Sequence, residues 1–261
     1  MPAAWALTPA YFLVFAFLCG VVGLRIGWRL NHRFALPLAQ SVLGWMAFLL
    51  ASRMVGLGWG AASVGAWAVG TTVTSVYLFL RRPKEVDERV TRAAEYRASM
   101  LAWLESGIGP EAHPGATVTQ HLREAIGYAA AAIATANLAS LVMGAFLLNT
   151  MNAYVATLLR AAKRTGRVLL LAWNLWSVVR VAAYIMIGAG ASAPMLRLAG
   201  WRVDTKAATT LAIAGAAGVV LDLVLKLTLS RPWGRALKGA VDLEAAKANR
   251  SSEAPLALHL D

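Results

Sequence analysis

The sequence predicts an all-α membrane protein, a polytopic transmembrane helical bundle with about five to six membrane segments and one cytoplasmic amphipathic helix. Apolar residues make up 59% of the chain and charged residues 15%, whereas soluble domains average about 45–50% and about 25%. Several apolar runs approach the roughly 20 residues that a helix needs to cross a ~30 Å hydrocarbon layer. Backbone polar groups find no water in that layer, so each run must be helical. These observations exclude a soluble globular fold, a disordered chain and a disulfide scaffold.

Residues 1–81 contain three N-terminal transmembrane helices. The apolar runs that predict them are 7–24, 34–52 and 61–80. Arg25, Arg29 and Arg33 follow the first run, whereas the residues before it carry no charged side chain. Because short cytoplasmic loops are enriched in Lys and Arg, we expect the N-terminus outside and the 25–33 loop inside. The expected location is the cell inner (plasma) membrane, with several passes through it.

Residues 82–123 are polar enough to lie in the cytoplasm, and their first part has a helical period. Acidic residues occupy the first turn from Glu85 onwards, where carboxylates favour the helix dipole. The pattern predicts an amphipathic helix over 86–105, followed by a loop at Gly107, Gly109, Pro110, Pro114 and Gly115. This helix either lies on the bilayer surface or binds a protein partner. Its apolar residues recur at steps of three and four: Val86, Val90, Ala93, Ala94, Met100, Leu101 and Leu104.

The stretch 125–159 carries no charged residue and is the hardest part of the chain to assign. As one helix it would extend about 52 Å, which is too long for one span and too short for two spans with a turn. Asn149 and Asn152 form a polar spot at which we expect a helix break or polar turn, with a broken or re-entrant segment at 149–160. Either one helix crosses and the basic cluster at 160–167 lies outside, or the chain returns and the cluster lies inside. Because Lys and Arg are enriched on the cytoplasmic side, the second alternative, in which the chain returns, is favoured.

Two further spans, 168–191 and 207–229, complete a C-terminal membrane region at 124–230. The tail, 231–261, begins with basic residues and is assigned to the cytoplasm. Asn137 stands among Ala, Thr and Ser residues, which is typical of an interhelical hydrogen bond within a membrane. Small residues on the spans allow close helix approach: Gly20, Gly23, Gly215 and Gly218.

Ionisable residues within the last two spans form the candidate functional site. They are Arg180 on one span, and Asp222 and Lys226 on the other. Each costs about 2.5–3.5 kcal/mol at mid-span unless it is partnered. The two helices are antiparallel, and their register leaves Arg180 and Asp222 about 6 Å apart along the axis, so we predict an ion pair. The pair either locks the helices together or lines a pathway for a proton, an ion or an anionic solute.

The sequence contains no enzyme, metal or cofactor signature. Cys19 is the single cysteine, and the four histidines are scattered, so we expect no disulfide, no metal and no cofactor. Paired aspartates, Gly-x-Ser-x-Gly, His-Glu-x-x-His and P-loop patterns are absent. The net charge of +12 is attributed to basic residues beside the spans, and no nucleic-acid partner is expected.

Three functions remain open from the sequence. A small transport or translocation component explains the charges within the spans. A non-catalytic membrane anchor or assembly subunit of a larger complex explains the scarcity of polar groups. Its protein partner would bind residues 86–105 or the Gly/Ala-rich helix faces, in addition to the lipid bilayer. A membrane-embedded enzyme is the third, and we favour a role that is not enzymatic.

Overall fold

The computed structural model describes residues 3–107 and 114–251, which form an all-α helical bundle. Within these residues there is no β-strand, and a single isolated bridge joins Ala162 to Val241. Six segments are long and apolar enough to cross a membrane: α1, α2, α3, α7, α9 together with α10, and α11. The helices are α1 (Ala3–Arg29), α2 (Ala35–Met54), α3 (Leu57–Arg81), α4 (Pro83–Arg89), α5 (Ala93–Ser106), α6 (Pro114–Thr135), α7 (Leu138–Arg160), α8 (Thr165–Leu171), α9 (Leu175–Ala191), α10 (Ala193–Leu198), α11 (Thr205–Ala240) and α12 (Leu243–Ser251).

Two clusters of buried apolar side chains define the two ends of the bundle. At the first, which we name the α5 end, Met100 of α5 packs with Leu158 of α7 and Trp176 of α9. At the second, the α10 end, Leu196 of α10 packs with residues of α3 and α7 such as Leu141. Helices α3, α7, α9 and α11 contribute side chains to both clusters, so each runs from one end to the other.

The uncharged stretch 125–159 is divided at Ala136 and Asn137. Both residues adopt a left-handed conformation, with φ of 48° and 80°, and they separate α6 from α7. Asparagine tolerates this conformation well and often ends a helix in this way. The break expected at Asn149 and Asn152 is therefore wrong, because both residues lie within the continuous helix α7.

Helix α6 runs from the α5 end towards the α10 end, and α7 returns. Ala136 packs on the cluster at the α10 end, whereas the backbone N–H of Lys163 donates to the carbonyl of Ala240 at 2.9 Å. The basic cluster at 160–167 thus lies at the α5 end. The returning element is the whole of α7, and the short re-entrant segment expected at 149–160 does not occur.

The segment expected to form one amphipathic helix over 86–105 is instead two helices, α4 and α5. They are separated at Val90–Arg92, where Arg92 has a positive φ of 62°. Their apolar side chains are buried against the rest of the chain: Val86 and Val90 pack with α1 and α3, and Met100 packs with α7 and α9.

The second half of the segment 82–123 and the start of the tail at 231 also differ from the expected organisation. Residues from Pro114 onwards belong to α6, and α11 extends to Ala240, well beyond the expected span. Of the residues expected in the loop, Gly107 ends α5 with a positive φ of 71°, whereas Pro114 and Gly115 begin α6. Gly109 and Pro110 lie outside the described residues, as does the tail after Ser251.

Small residues bring α9 and α11 into backbone contact. A Cβ atom at Gly215 would lie 2.8 Å from the carbonyl oxygen of Ala183, and one at Gly190 would lie 2.6 Å from that of Ala208. Only glycine permits such an approach, which is typical of helix packing in membranes. The contact fixes the register of the two helices that carry the candidate site.

Candidate functional site

The charged residues of α9 and α11 meet inside the bundle. The Nε of Arg180 donates to Oδ2 of Asp222 at 2.9 Å, and its Nη2 donates to Oδ1 at 3.1 Å. This two-point contact matches the planar guanidinium to the carboxylate. The Asp222 side chain is fully buried, whereas that of Arg180 remains 20% exposed. Each charge offsets the desolvation cost of the other.

Helix α6 brings a histidine to the same carboxylate. The Nδ1 of His121 lies 3.2 Å from Oδ2 of Asp222, although the angle is outside hydrogen-bond geometry. The His121 side chain is 3% exposed, so the imidazole is enclosed beside the charged residues of α9 and α11.

A second carboxylate, Glu124, lies one turn further along α6. The hydroxyl of Tyr184 on α9 donates to its Oε2 at 3.1 Å, and the amide of Gln120 donates to its Oε1 at 2.8 Å. The Tyr184 ring stacks on that of Tyr128, with 4.4 Å between centroids. Both carboxylate oxygens thus have a donor, and the stacked ring holds the hydroxyl in place.

Lys226 is the remaining buried ionisable residue of α11. It follows Asp222 by one helical turn, so both side chains lie on one face of the helix. The residue is 4% exposed, and it borders the same internal cavity as Arg180, His121 and Glu124.

A cavity of about 610 Å³ lies between these helices and α3 and α7. This volume is within the range of about 300–1,000 Å³ that is typical of small-molecule sites. The wall formed by α6, α9 and α11 includes Val181 and Ile185 but carries most of the polar and charged groups: Gln120, His121, Glu124, Ser177, Arg180 and Lys226. The wall formed by α3 and α7 is largely apolar: Val64, Trp67, Ala68, Leu141, Leu148 and Met151.

The cavity reaches the surface at the α5 end. Arg92 and Glu95 of the α4–α5 segment line it there, and they form an ion pair of 3.0 Å. Their side chains are 78% and 71% exposed, so this part of the lining is in contact with solvent. The space that Glu124, Arg180 and Lys226 border is therefore open at the α5 end.

Asn149 and Asn152 do not line this cavity and instead attach α7 to its neighbours. The amides of Asn149 and Gln40 on α2 exchange two hydrogen bonds, of 2.7 and 3.1 Å. The Oδ1 of Asn152 accepts from the indole of Trp173 at 3.4 Å. Such side-chain hydrogen bonds hold helices together within a membrane.

Asn137 lies in the cavity lining at the break between α6 and α7. We expected it to hydrogen-bond between helices, but its Oδ1 accepts from the hydroxyl of Ser140 within the same hairpin. It contacts α9 by packing: a Cβ atom at Gly188 would lie 2.5 Å from this oxygen.

Sequence reasoning did not find His121, Glu124 or Tyr184. His121 falls in the polar segment 82–123, which the sequence assigns to the cytoplasm, and Glu124 stands at the first position of the membrane region 124–230. A signal was present, because Gln120, Glu124 and Tyr128 follow each other at steps of four and so share one helix face that continues into the apolar run. A polar face on a helix that enters a bundle needs polar partners on the neighbouring helices.

Comparison with known proteins adds no relative to this description. No protein-family model matches the chain, and no curated protein or solved structure is similar to it. Among residues 3–107 and 114–251, no three His, Cys, Asp or Glu side chains are grouped so that they would hold a metal ion.

Proposed function

We propose that the protein is a small transport component of the cell inner membrane that binds its solute in the cavity. The observation that carries this proposal is that charged residues of three helices, Glu124, Arg180 and Lys226, line the cavity. A lock between two helices requires only Arg180 and Asp222, whereas Glu124 and Lys226 line the same space. Ionisable residues that face a cavity inside a membrane bundle are typical of solute and proton pathways.

A membrane anchor that assembles with partners receives less support. The apolar side chains over 86–105 are buried against the chain itself. Gly23 and Gly215 likewise pack against α2 and α9, respectively. The surfaces that we considered for a partner are thus occupied by the protein's own helices.

The basic residues suggest the orientation. Lys and Arg residues of α4, α5 and the cluster at 160–167 flank the α5 end. By the positive-inside rule we assign this end to the cytoplasm, which leaves the N-terminus outside. The cavity would then open towards the cytoplasm.

The proposal is tested with a cavity-filling variant of α9 and a matched control. Ser177 lines the cavity, whereas the adjacent Val178 is 50% exposed on the outer face. The Ser177→Trp and Val178→Trp variants are reconstituted into liposomes beside the wild type. A mixture of isotopically labelled small metabolites is offered, and the contents are followed by mass spectrometry.

We expect at least one solute to accumulate with time in wild-type and Val178→Trp liposomes and not in Ser177→Trp liposomes. The proposal fails if no solute distinguishes the wild type from Ser177→Trp. It also fails if a labelled product of different mass forms in a Ser177-dependent way, because that outcome indicates an enzyme.

A further inference from the structure

We infer that the cavity takes an amphipathic organic anion, with its acidic group beside Arg180 and Lys226 and its apolar body against α3 and α7. This inference rests on the proposed function, because it assigns the ligand class of the same cavity. It follows from how charge is distributed over the lining.

The cations of the polar wall face the cavity, whereas one of its two carboxylates does not. Arg180 and Lys226 both line the cavity, and Asp222, which pairs with Arg180, is fully buried and is not part of the lining. Asp222 offsets the charge of Arg180, so the preference comes from direct contact: an acidic group beside Arg180 and Lys226 would lie closer to these two cations than to Asp222.

Glu124 is the carboxylate on this wall, and its position does not favour a cationic ligand. Its two oxygens accept hydrogen bonds from Tyr184 and Gln120, so its charge is already solvated by the protein. Arg92 and Glu95 at the opening neutralise each other.

The opposite wall specifies an apolar body rather than a small inorganic anion. Trp67 and Leu141 are buried residues of α3 and α7 that border the cavity. An inorganic anion would leave this surface facing an unfilled volume, whereas an organic acid would cover it and gain from its burial.

The test uses probes that share one apolar body and differ in charge: 2-naphthoate, 2-naphthalenemethanol and 2-naphthylmethylamine. Binding is measured by equilibrium dialysis of protein in phosphatidylcholine nanodiscs. We expect naphthoate to bind at least about tenfold tighter than the alcohol or the amine. The Ser177→Trp variant corrects for partition of the probes into lipid.

Two substitutions test the role of charge: one removes a positive charge from the cavity lining, and the other removes a negative charge. Lys226→Met should weaken naphthoate binding about tenfold, and Glu124→Gln should strengthen it severalfold. Lys206→Met is the matched control, because Lys206 is an exposed lysine of the same helix. It should leave the affinity unchanged.

The possible results separate this inference from the proposal on which it rests. If the alcohol or amine binds as tightly as naphthoate and Ser177→Trp abolishes binding, the cavity binds solutes but the assignment of an anion is wrong. The assignment is also wrong if Lys226→Met and Lys206→Met behave alike. If no probe binds and the transport assay is negative, both proposals fail.

An anionic lipid would present the same chemistry as a water-soluble acid. Nanodiscs that also contain phosphatidylglycerol distinguish the two sources. If phosphatidylglycerol competes with naphthoate and this competition requires Lys226, the natural anion is a lipid. If phosphatidylglycerol leaves the naphthoate affinity unchanged, the natural anion is a soluble acid.

Discussion

Arg180 and Asp222 depend on each other because the Asp222 carboxylate is fully buried and the Arg180 guanidinium is its two-point partner. Their two hydrogen bonds form between helices that are already in backbone contact. Removal of one partner leaves the other charge buried without a counter-charge. In buried ion pairs this lowers the free energy of unfolding by about 3–5 kcal/mol. Removal of both partners also removes both desolvation costs, so the double change is expected to be milder than either single change.

We therefore predict that Asp222→Asn and Arg180→Met each lower the stability by about 3 kcal/mol, and that Arg180→Met/Asp222→Leu retains more stability than either. Thermal unfolding in detergent is followed with a thiol-reactive dye, since Cys19 is the single cysteine and is buried. A double variant as unstable as the single variants would contradict the pairing. A stable double variant that no longer binds naphthoate would show that Arg180 also contacts the ligand.

At the scale of elements, the close approach of α9 and α11 determines where the charges meet. A Cβ atom at Gly215 would lie 2.7 Å from a side-chain carbon of Ile187 and 2.8 Å from the carbonyl oxygen of Ala183. Neither the backbone of α9 nor a packed isoleucine can move away at no cost. Gly65 on α3 has nothing within 4 Å of the same position and provides a matched control.

We predict that Gly215→Ala destabilises the protein by about 1–3 kcal/mol, because overpacking outweighs the gain in helix propensity. Gly65→Ala should be neutral or should stabilise by up to about 1 kcal/mol, because it adds only that gain. The same dye assay measures the stability of both variants. If Asp222→Asn lowers the stability less in the Gly215→Ala background than in the wild type, α9 and α11 have moved apart in that background. Equal behaviour of the two glycine variants would refute the close contact.

The elements that the sequence predicted well are those whose residues face lipid or a close apolar neighbour. Apolar length was sufficient for α1, α2 and α3, and helical register was sufficient to align Arg180 with Asp222. Helix α6 was missed because its His121 and Glu124 are partnered by α9 and α11, and a partner on a distant helix is not visible in a local pattern. The break at Ala136 was missed because alanine gives no signal for a left-handed conformation.

At the scale of the whole molecule, the path of α6 and α7 decides which basic residues share a side of the membrane. The backbone hydrogen bond from Lys163 to Ala240 places the 160–167 cluster beside the end of α11. Lys247 of α12 contacts Glu105 of α5 at 2.7 Å, so these segments all lie at one end. Arg202 lies at the other end, in the connection that leads from α10 to α11.

We predict that single cysteines at Ser106 and Lys163 share one side of the membrane and that a cysteine at Arg202 lies on the other. All three positions are exposed, and each substitution is made in a Cys19→Ser background. A membrane-impermeant maleimide applied to intact cells should label Arg202→Cys alone, and permeabilisation should expose the other two. If Ser106→Cys and Lys163→Cys are labelled from opposite sides, α6 and α7 do not both traverse the bundle, because these are the two helices that lie between the two positions. The cavity would then lose the helix that carries His121 and Glu124, and with it the polar wall on which an anionic ligand depends.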